Sequence, residues 1–466
     1  MYYCRTKIVC TLGPASSSRE TLRSLIDAGL NVARINFSHS THEQHAATIA
    51  LVRDVANETG RPIAILGDLQ GPRIRIGELA ESRTLEDGSD VVLVPERFVQ
   101  GDDIPVTYES LADDVHVGDR VLINDGLLEL VVLDVAKPRV TARVLHGGPL
   151  ASHKGINLPG VQVSAPSITE KDREDVAFAV EQGLEYIALS FVRRAQDIAE
   201  LRTMIPKSML VVAKIEKDSA LENIETIVRA SDGVMVARGD LGVELPFEEV
   251  PYAQKRIIAL CNRLGRPVIT ATQMLESMIT HPRPTRAEAS DVANAILDGT
   301  DAVMLSAETA AGQYPRLAVE AMSRIIAEIE GKPLQFGRED RRREMAMSTE
   351  FAIAAASAAA VSMLNAPVLI VFTKSGFSAR VVASHRPSVP ILVLTDVPQT
   401  FRQLALVWGV IPELVPHCDT YDEMVRLALE AVQRRDLARA GDRVVVTAGV
   451  PFDVPGTTNL LKVETV

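Results

Sequence analysis

Cysteine, aromatic residues and long apolar runs are all scarce in this chain of 466 residues, of which only 4% are aromatic. It has four cysteines: Cys4, Cys10, Cys261 and Cys418. No two of them form a Cys-x-x-Cys pair, so we expect reduced thiols in a cytoplasmic protein. Arg5 and Lys7 interrupt the first residues, which argues against a secretory leader.

An excess of basic residues is also missing, because the net charge is -12. A broad basic face for nucleic acid or an anionic membrane is therefore not expected, and an anionic substrate would need a local basic pocket. The hydrophobic share of 47% and charged share of 24% are those of an ordinary globular protein. The length predicts two to four domains.

The most membrane-like run, Phe351–Phe372, is too often interrupted to be a membrane span. It is rich in alanine, and Ser357, Ser362, Asn365 and Pro367 fall within it. We interpret it as a buried helix followed by the strand PVLIVF.

Apolar strands alternate with helices through much of the chain. The eight predicted strands are 7–13, 32–38, 62–69, 186–192, 210–216, 233–240, 267–273 and 302–308. Eight such units predict a closed (β/α)8 TIM barrel. An open doubly wound sheet is the weaker alternative, because no Gly-x-Gly-x-x-Gly follows an early strand.

The alternation breaks after the third strand. Residues 72–163 show short β runs between Gly, Asp and Pro turns, which predicts an inserted all-β barrel domain. A charged linker, 337–345, precedes a further α/β pattern. The predicted domains are the α/β barrel over 1–71 and 164–336, the inserted β domain over 72–163, and a C-terminal α/β domain over 337–466.

Polar residues collect where the predicted barrel strands end. In strand order they are Arg34, Asn36, Ser38, Asp68, Ser190, Arg193, Lys214, Glu216, Asp240, Thr272, Ser306 and Glu308. Any one of them is more simply explained as a satisfied structural group, and Lys214 with Glu216 as a buried ion pair. Because barrel active sites form at the carboxyl ends of the strands, their recurrence there predicts an active site.

The residue types at this edge suit a particular ligand. Glu216 and Asp240 suit Mg²⁺ or Mn²⁺, which prefer oxygen ligands and keep positions for water or substrate. Arg34 and Lys214 suit a phosphoryl group. The turn ARGDLG predicts a short helix whose free N–H groups face a carboxylate, and Thr272 adds a hydroxyl. We reject an adhesion role for the Arg-Gly-Asp triplet, because it would need an exposed loop on a secreted protein.

Eight ordered motifs carry a resemblance to a known family. They are RTKIVCTLGPAS, ARINFSHS, GDLQGPRIR, SHKGINLPG, VAKIEK, VMVARGDLGVE, ITATQMLESM and MLSAETAAG. Together they resemble pyruvate kinase over nearly the whole chain. The resemblance implies transfer of a phosphoryl group from phosphoenolpyruvate to ADP, giving pyruvate and ATP.

The resemblance also implies roles for single residues. Lys214 would stabilise the transferring phosphoryl group and the developing enolate, and Arg34 would bind the phosphoryl group. Glu216 and Asp240 would hold Mg²⁺. The substrate carboxylate would meet Thr272 and the backbone of Gly239 and Asp240. Protonation of the enolate would pass through water near Thr272 and Ser306. In the inserted domain, Asp125 and Lys154 would close over the nucleotide as a lid.

One segment departs from the family pattern. Many pyruvate kinases have Asp-Thr-Lys-Gly-Pro-Glu where this chain has Asp68-Leu69-Gln70-Gly71-Pro72-Arg73. Members with the first pattern need K⁺, held by oxygens matching Asn36, Ser38, Asp68 and the threonine. Leu69 has no side-chain oxygen, and Arg73 brings a fixed positive charge. We hypothesise that Arg73 replaces K⁺; neutral drift at a surface turn is the alternative.

The segment TKSGFSARVV (373–382) resembles the family's loop for sugar-phosphate effectors. Thr373, Lys374, Ser375, Gly376 and Ser378 would form a phosphate cradle. Phe377 stands where a basic or polar residue is common, which leaves the effector open, and an ordinary strand-to-helix turn is the alternative.

The sequence is compatible with three functions. The first is an allosteric pyruvate kinase, implied to be a homotetramer. The second is another Mg²⁺-dependent barrel enzyme acting on phosphoenolpyruvate or pyruvate, which ADP binding would distinguish. The third is an inactive metabolite-binding paralogue, which turnover would exclude.

Overall fold

Eight parallel strands close into a barrel in the computed structural model, which describes residues 4–332, 348–418, 420–450 and 458–466. The strands are β1 (Lys7–Thr11), β2 (Val32–Asn36), β3 (Ala64–Asp68), β4 (Arg83–Leu85), β5 (Asp90–Pro95), β6 (Ile104–Val106), β7 (Arg120–Ile123), β8 (Leu128–Ala136), β9 (Arg139–His146), β10 (Gly148–Leu150), β11 (Ile156–Asn157), β12 (Tyr186–Leu189), β13 (Leu210–Ile215), β14 (Gly233–Ala237), β15 (Val268–Ala271), β16 (Ala302–Leu305), β17 (Leu369–Phe372), β18 (Ile391–Thr395), β19 (Val410–Leu414), β20 (Arg443–Ala448) and β21 (Leu460–Thr465). The helices are α1 (Arg19–Ala28), α2 (His42–Thr59), α3 (Leu111–Asp114), α4 (Glu170–Glu181), α5 (Ala195–Arg202), α6 (Asp218–Glu222), α7 (Ile224–Ala230), α8 (Arg238–Glu244), α9 (Val250–Arg263), α10 (Arg286–Asp298), α11 (Ala307–Ala310), α12 (Pro315–Glu330), α13 (Thr349–Leu364), α14 (Phe377–Ser384), α15 (Pro398–Gln403) and α16 (Tyr421–Arg434).

The barrel order is β1-β16-β15-β14-β13-β12-β3-β2, and every neighbouring pair is parallel. The predicted closed barrel is confirmed, and the open doubly wound sheet is excluded. Local signals set many of the element ends. The Ser18 side chain caps α1, for example, and Gly29 ends it with its N–H on the carbonyls of the last turn.

The barrel is packed on both sides of its strands. Helices cover the outside, and apolar side chains fill the inside: Val9, Val32, Ala64, Leu66, Tyr186, Ala188, Leu210, Val212, Met235, Ile269, Ala271, Ala302 and Met304. Ala405 and Leu406, from the C-terminal part of the chain, belong to the same cluster. We call the edge formed by the carboxyl ends of the barrel strands the rim and the opposite edge the base. The apolar filling separates the two ends.

The segment between β3 and α4 forms its own β structure. One sheet has the order β11-β7-β8-β9-β5-β6, and a second pairs β10 with β4. Its apolar residues form a core separate from that of the barrel. The exact domain boundaries given above remain predictions.

Two chain segments join this inserted domain to the barrel, and the buried Asp172 of α4 binds both. One carboxylate oxygen accepts from Gly71 N (3.0 Å), and the other accepts from Thr169 N (2.8 Å) and Thr169 Oγ1 (2.7 Å). Gly71 has a φ of +71°, and a Cβ there would lie 2.7 Å from the Phe191 ring. Glycine is therefore the residue that this turn accepts.

The C-terminal part is a five-stranded sheet of order β19-β18-β17-β20-β21, parallel except for β21. Apolar clusters on both faces pack it against helices. The predicted α/β domain is confirmed as a fold, whereas β19 and β21 were not predicted. The predicted linker 337–345 lies outside the described residues.

Helix α13 and strand β17 occupy the apolar run, as predicted. The predicted burial of the helix is wrong, because only Ala354, Ser357 and Val361 are buried along it. None of the helices in the described ranges has the length and hydropathy that a membrane crossing requires.

Candidate active site

Lys214 lies at the centre of the rim, near the end of β13. Its Nζ is 2.8 Å from Glu216 Oε1 and 3.2 Å from Asp68 Oδ1, and it donates to Ser190 Oγ at 2.7 Å. Burial alone would lower the pKa of Lys214, but Asp68 and Glu216 outweigh it and raise the pKa to about 12. Lys214 is therefore a fixed positive charge at neutral pH.

Arg34, at the end of β2, adds a second cation. Its Nε donates to Asp68 Oδ2 at 2.6 Å, and its Nη1 donates to Thr11 Oγ1 at 2.8 Å. Burial would raise the pKa of Asp68, but Lys214 and Arg34 hold it below the ordinary value. Asp68 thus stays ionised and holds both cations at the rim.

Glu216 and Asp240, the predicted metal ligands, follow the neighbouring strands β13 and β14, Glu216 directly and Asp240 in the first turn of α8. Glu216 Oε2 accepts from Phe191 N at 2.6 Å, while Asp240 is partly exposed and its Oδ1 lies 3.3 Å from Arg73 Nη2. Burial, and in the second place the negative charge of Asp240, raise the pKa of Glu216, although Lys214 opposes this. Glu216 and Asp240 are therefore close enough for the charge of Asp240 to act on Glu216.

The two carboxylates fit Mg²⁺ better than a metal that needs a full protein cage. Within the described ranges, no group of three or more His, Cys, Asp and Glu residues has metal-binding geometry. Mg²⁺ is commonly held by one or two carboxylates, with water and substrate oxygens completing the shell. Glu216 and Asp240 match that pattern, since Asp240 remains accessible.

Thr272 directly follows β15 and adopts an unusual backbone conformation, with a φ of +68°. Its Oγ1 accepts from Gly239 N at 2.7 Å and donates to Ala271 O at 2.7 Å. Gly239 and Asp240 lie in the first turn of α8, so the predicted short helix after β14 is present. A carboxylate bound here could accept a hydrogen bond from the Gly239 N–H, which Thr272 Oγ1 accepts in this structure.

A cleft of about 260 Å³ separates the rim from the inserted domain. Arg73, Asp125 and Lys154 line it from the inserted domain, and Lys217 and Asp240 line it from the barrel side. Asn157 Nδ2 crosses it to Glu244 Oε1 at 3.1 Å, and the same oxygen pairs with Lys217. The two residues predicted for the lid thus face the predicted metal ligand.

Two of the predicted rim residues, Arg193 and Glu308, bind backbone groups of other segments. Arg193 binds the segment that leaves the inserted domain, through the carbonyls of Val163 and Ala165. Glu308 is buried and accepts from Leu275 N (3.1 Å) and Ser306 N (2.7 Å), which holds two strand ends together.

Asn36, Ser38 and Asp68, which we predict to remain from a monovalent-cation site, lie close together, because Asn36 is in register with Asp68 on the neighbouring strand. Asn36 Oδ1 accepts from Ser38 N at 3.2 Å. Among the described residues, no hydrogen bond or ion pair joins Arg73 to Asn36, Ser38 or Asp68; Arg73 contacts Asp240 instead.

The predicted effector loop lies at the carboxyl ends of β17, β18 and β19. Lys374 Nζ is 2.5 Å from Asp396 Oδ2 and 3.2 Å from His417 Nδ1. Thr373 Oγ1 accepts from Gly376 N at 3.0 Å, and Ser378 Oγ lies 2.6 Å from Thr458 Oγ1. In the second half of the loop, Arg380 donates to the Ser375 carbonyl at 3.3 Å. Phe377 begins α14.

Sequence reasoning missed three kinds of residue near the site. They are Asp172, which binds Gly71, the ion pair of Lys217 and Glu244 beside the cleft, and Arg238, which binds the Thr272 carbonyl. Lys217 lies two residues beyond β13 and Arg238 directly after β14, so their places at strand ends were the available signal. The Gly71 partner of Asp172 and the partners of the other three residues are distant in the chain, so no local pattern indicates these contacts.

Comparisons with known proteins agree with this geometry. Residues 3–319 match the family model "Pyruvate kinase, barrel domain", and residues 351–464 match "Pyruvate kinase, alpha/beta domain". A pyruvate kinase of Geobacillus stearothermophilus is 49% identical over 99% of this chain and 80% of its own length. Pyruvate kinase 2 of a Synechocystis strain is 47% identical over 99% of this chain and 79% of its own.

The fold agrees as well. The crystal structure of a pyruvate kinase from Cryptosporidium parvum superposes with a TM-score of 0.94, covering 99% of this chain and 96% of that one at 37% identity. Both family models together span the barrel and the C-terminal sheet, and the relatives match 99% of this chain. This chain therefore belongs to the pyruvate kinase family.

Proposed function

We propose a role for each rim residue in the reaction of the family, in which a phosphoryl group passes from phosphoenolpyruvate to ADP and gives pyruvate and ATP in glycolysis. The family membership carries the reaction and its general use of Mg²⁺. The contact that carries the residue assignment is Lys214 Nζ between Asp68 and Glu216. The cleft beside this rim is lined by Asp240 and Lys154.

Lys214 and Arg34 bind the phosphoryl group of phosphoenolpyruvate. As the phosphoryl group moves to an oxygen of ADP, the bond to the enol oxygen breaks and leaves an enolate. Lys214 stabilises that charge, and because it is already oriented by Ser190 and Glu216, little reorganisation is needed. Glu216 and Asp240 would hold Mg²⁺, which would neutralise negative charge during the transfer.

The substrate carboxylate binds at Thr272 and the backbone of Gly239 and Asp240. The enolate carbon then takes a proton through water near Thr272 and Ser306, which releases pyruvate. Asp125 and Lys154 approach the nucleotide from the inserted domain, which closes over the cleft and excludes water. An aldolase or lyase of the same fold would have no use for such a nucleotide lid.

We further propose that the enzyme works without K⁺, because Arg73 supplies the charge that K⁺ supplies elsewhere in the family. Leu69 is buried and has no side-chain oxygen to bind an ion. Arg73 already lies against Asp240 at the edge of the site. The positive charge of Arg73, which belongs to the chain itself, thus lies next to Asp240, the carboxylate proposed to bind the metal.

Pyruvate formation with Mg²⁺, measured in K⁺-free buffer and then with K⁺ at constant ionic strength, tests this proposal. We expect full turnover without K⁺. The double variant Leu69→Thr/Arg73→Glu should lose at least about tenfold without K⁺ and recover with it, whereas Arg75→Glu, on the same cleft, should gain no K⁺ requirement. Activity of the unaltered enzyme only with K⁺ would refute the proposal.

We propose that the loop 373–378 binds a phosphorylated effector. The support is its place at three strand ends, where open α/β sheets bind ligands, and the cluster of Lys374, Asp396 and His417. A screen of sugar phosphates and nucleotides against phosphoenolpyruvate saturation tests it. If no compound shifts the half-saturation point, the loop is an ordinary turn.

A homotetramer in the cytoplasm completes the proposal. Helix α13 is apolar on all sides yet buried along one stripe only, and Met363 on it is 83% exposed. Phe247 and Tyr252 are exposed near the start of α9. Such surfaces are typical of contacts between subunits, and light scattering in solution gives the subunit number. All four cysteines are free thiols, which suits a reducing compartment.

A further inference from the structure

Arg238, the arginine of the Arg-Gly-Asp triplet, has no part in the roles assigned so far. Its side chain is 13% exposed and forms an ion pair with Asp291, with Nη1 2.7 Å from Oδ1. The guanidinium also contacts the side chains of Gln254, with Nη1 3.4 Å from Oε1, and Met274, with Nη2 2.8 Å from Sδ, and it binds two backbone carbonyls. Nη2 donates to Thr272 O at 2.8 Å, and Nε donates to Ala271 O at 3.2 Å.

These two carbonyls belong to the peptide groups on either side of Thr272. A planar guanidinium that binds both fixes the two dihedral angles of the residue between them. Lysine, with a single ammonium group on a flexible stem, offers no such fork.

The conformation that Arg238 holds is a costly one. Thr272 has a φ of +68° and Gln273 a φ of +53°, both in the left-handed region. That region is unfavourable for a β-branched residue, and such strain persists only where surrounding contacts enforce it. Without Arg238, Thr272 would relax towards negative φ.

The left-handed conformation decides where the Thr272 hydroxyl lies. It places Oγ1 2.7 Å from Gly239 N, the residue next to Arg238. Arg238 therefore links two parts of the carboxylate site, through its side chain to Thr272 and through the backbone to Gly239.

We propose that Arg238 is a positioning residue for Thr272 and contributes to turnover only through it. Asp291 orients the guanidinium, the guanidinium fixes the Thr272 backbone, and the backbone aims the hydroxyl. This inference rests on the proposed role of Thr272 in the reaction. A merely structural Arg238 would stabilise the fold without any coupling to Thr272.

A double-mutant cycle of Arg238→Gln and Thr272→Ala, with kcat and KM for phosphoenolpyruvate measured in all four proteins, tests this. Misplacing a reacting group by about 1 Å costs roughly 10²-fold, so Arg238→Gln should lower kcat by about that factor. KM should change much less, because Arg34 and Lys214 remain. In the Thr272→Ala background, Arg238→Gln should cost less than about threefold.

Additive losses in the two variants, or a lowered melting temperature with unchanged kcat, would overturn the inference. If Thr272→Ala itself keeps full turnover, both the role of Thr272 and this inference fall. If Thr272→Ala is impaired but Arg238→Gln is not, only this inference falls.

A second measurement covers the case in which Arg238→Gln folds poorly. Arg238→Lys keeps the charge but loses the fork, so its kcat should stay reduced by roughly tenfold or more, by the same misplacement argument. Added guanidinium ion should restore part of the kcat of Arg238→Ala, and ammonium should not; equal effects of the two ions would contradict the proposal. As a matched control, Arg266→Gln removes an arginine that binds the Arg229 carbonyl near the other end of β15, and its kcat should stay within about twofold.

Discussion

The rim and the base of the barrel both bury charged side chains, but they use them differently. At the base, both oxygens of Glu185 are occupied, by Arg53, by Arg402 of α15 and by the N–H of Ile65. At the rim, Asp68 Oδ1 lies 3.2 Å from Lys214, yet no donor in the described part of the chain forms a hydrogen bond with it.

The rim also has backbone conformations that are energetically unfavourable. Three residues with positive φ, Phe191, Thr272 and Gln273, lie just beyond the rim ends of β12 and β15. At the base, Tyr186 OH donates to Gln403 O at 2.7 Å and Gln403 Nε2 to Ser208 O at 2.7 Å, which docks the C-terminal sheet with ordinary hydrogen bonds. Buried polar groups without full partners are costly, so the rim retains a cost that a ligand can relieve. The base is not free of such groups, because Arg386, which pairs with Asp301 just before β16, has a buried Nε that forms no hydrogen bond with the described residues.

Removing the central charge of the rim should give the largest effect. Lys214→Met leaves Asp68 and Glu216 without their shared cation and the enolate without its stabilising charge. Turnover should fall by ~10²–10³ or more, as for loss of a key transition-state partner. Steady-state pyruvate formation, with circular dichroism to verify folding, measures it.

Lys255→Met is the matched control, since it removes an exposed lysine that pairs with Asp298 on the outside of the barrel. Its turnover should be near normal. A folded Lys214→Met enzyme with near-normal turnover would remove the distinction between rim and base.

Neutralising the central charge of the base should affect stability rather than chemistry. Glu185→Gln leaves Arg53 and Arg402 without their buried counterion and should cost about 3 kcal/mol in the free energy of unfolding. The kcat of the folded enzyme should stay within about threefold. Urea unfolding gives the stability, and Glu225→Gln, in an exposed pair with Arg229, should change it by less than about 1 kcal/mol. A large fall in kcat with unchanged stability would reverse our interpretation of the base.

The smallest expected effect concerns the pH dependence of the base. Lys7 is buried, donates to Val410 O at 2.9 Å, and has its pKa lowered from 10.5 to about 8 by burial, against the opposing charges of Glu330 and Cys4. Below pH 8 the lysine is charged in both the folded and unfolded states. Above it the unfolded state binds more protons, so stability rises with pH.

Lys7→Met should lack that rise. The stability of the unaltered protein relative to Lys7→Met should grow by roughly 2 kcal/mol between about pH 7 and about pH 9.5. Urea unfolding at both pH values measures it. Lys332→Met, in an exposed pair with Glu328, should show no such difference. A constant difference across this range would mean that Lys7 is not buried as a costly cation.

The sequence predicts the parts of this molecule that local rules govern. Helix α1, for example, lies between Ser18 and Gly29, two residue types that are strong boundary signals in a sequence. The convergence of Lys214, Glu216 and Asp240 was predictable because parallel strands present their carboxyl ends at one edge. Asp125 and Lys154 were placed by family resemblance alone.

The remaining features depend on contacts that are distant in the chain. Strand β19 carries Pro412 and Glu413 within five residues, so its pattern does not indicate a strand, and only pairing with β18 makes it one. The left-handed Thr272 depends on Arg238, 34 residues earlier. The alanine-rich α13 looks buried because composition does not reveal which faces meet a neighbour.

The clasp at Asp172 has an evolutionary consequence. Because the Asp172 carboxylate binds both Gly71 and Thr169, the two ends of the inserted domain lie next to each other on the barrel. The inserted domain is therefore connected to the barrel as a loop would be. Closing such a loop costs little extra free energy as it lengthens, so domains of different size are compatible with an unchanged barrel. We therefore expect that a short turn from Gly71 to Thr169 in place of the inserted domain would still allow the barrel to close.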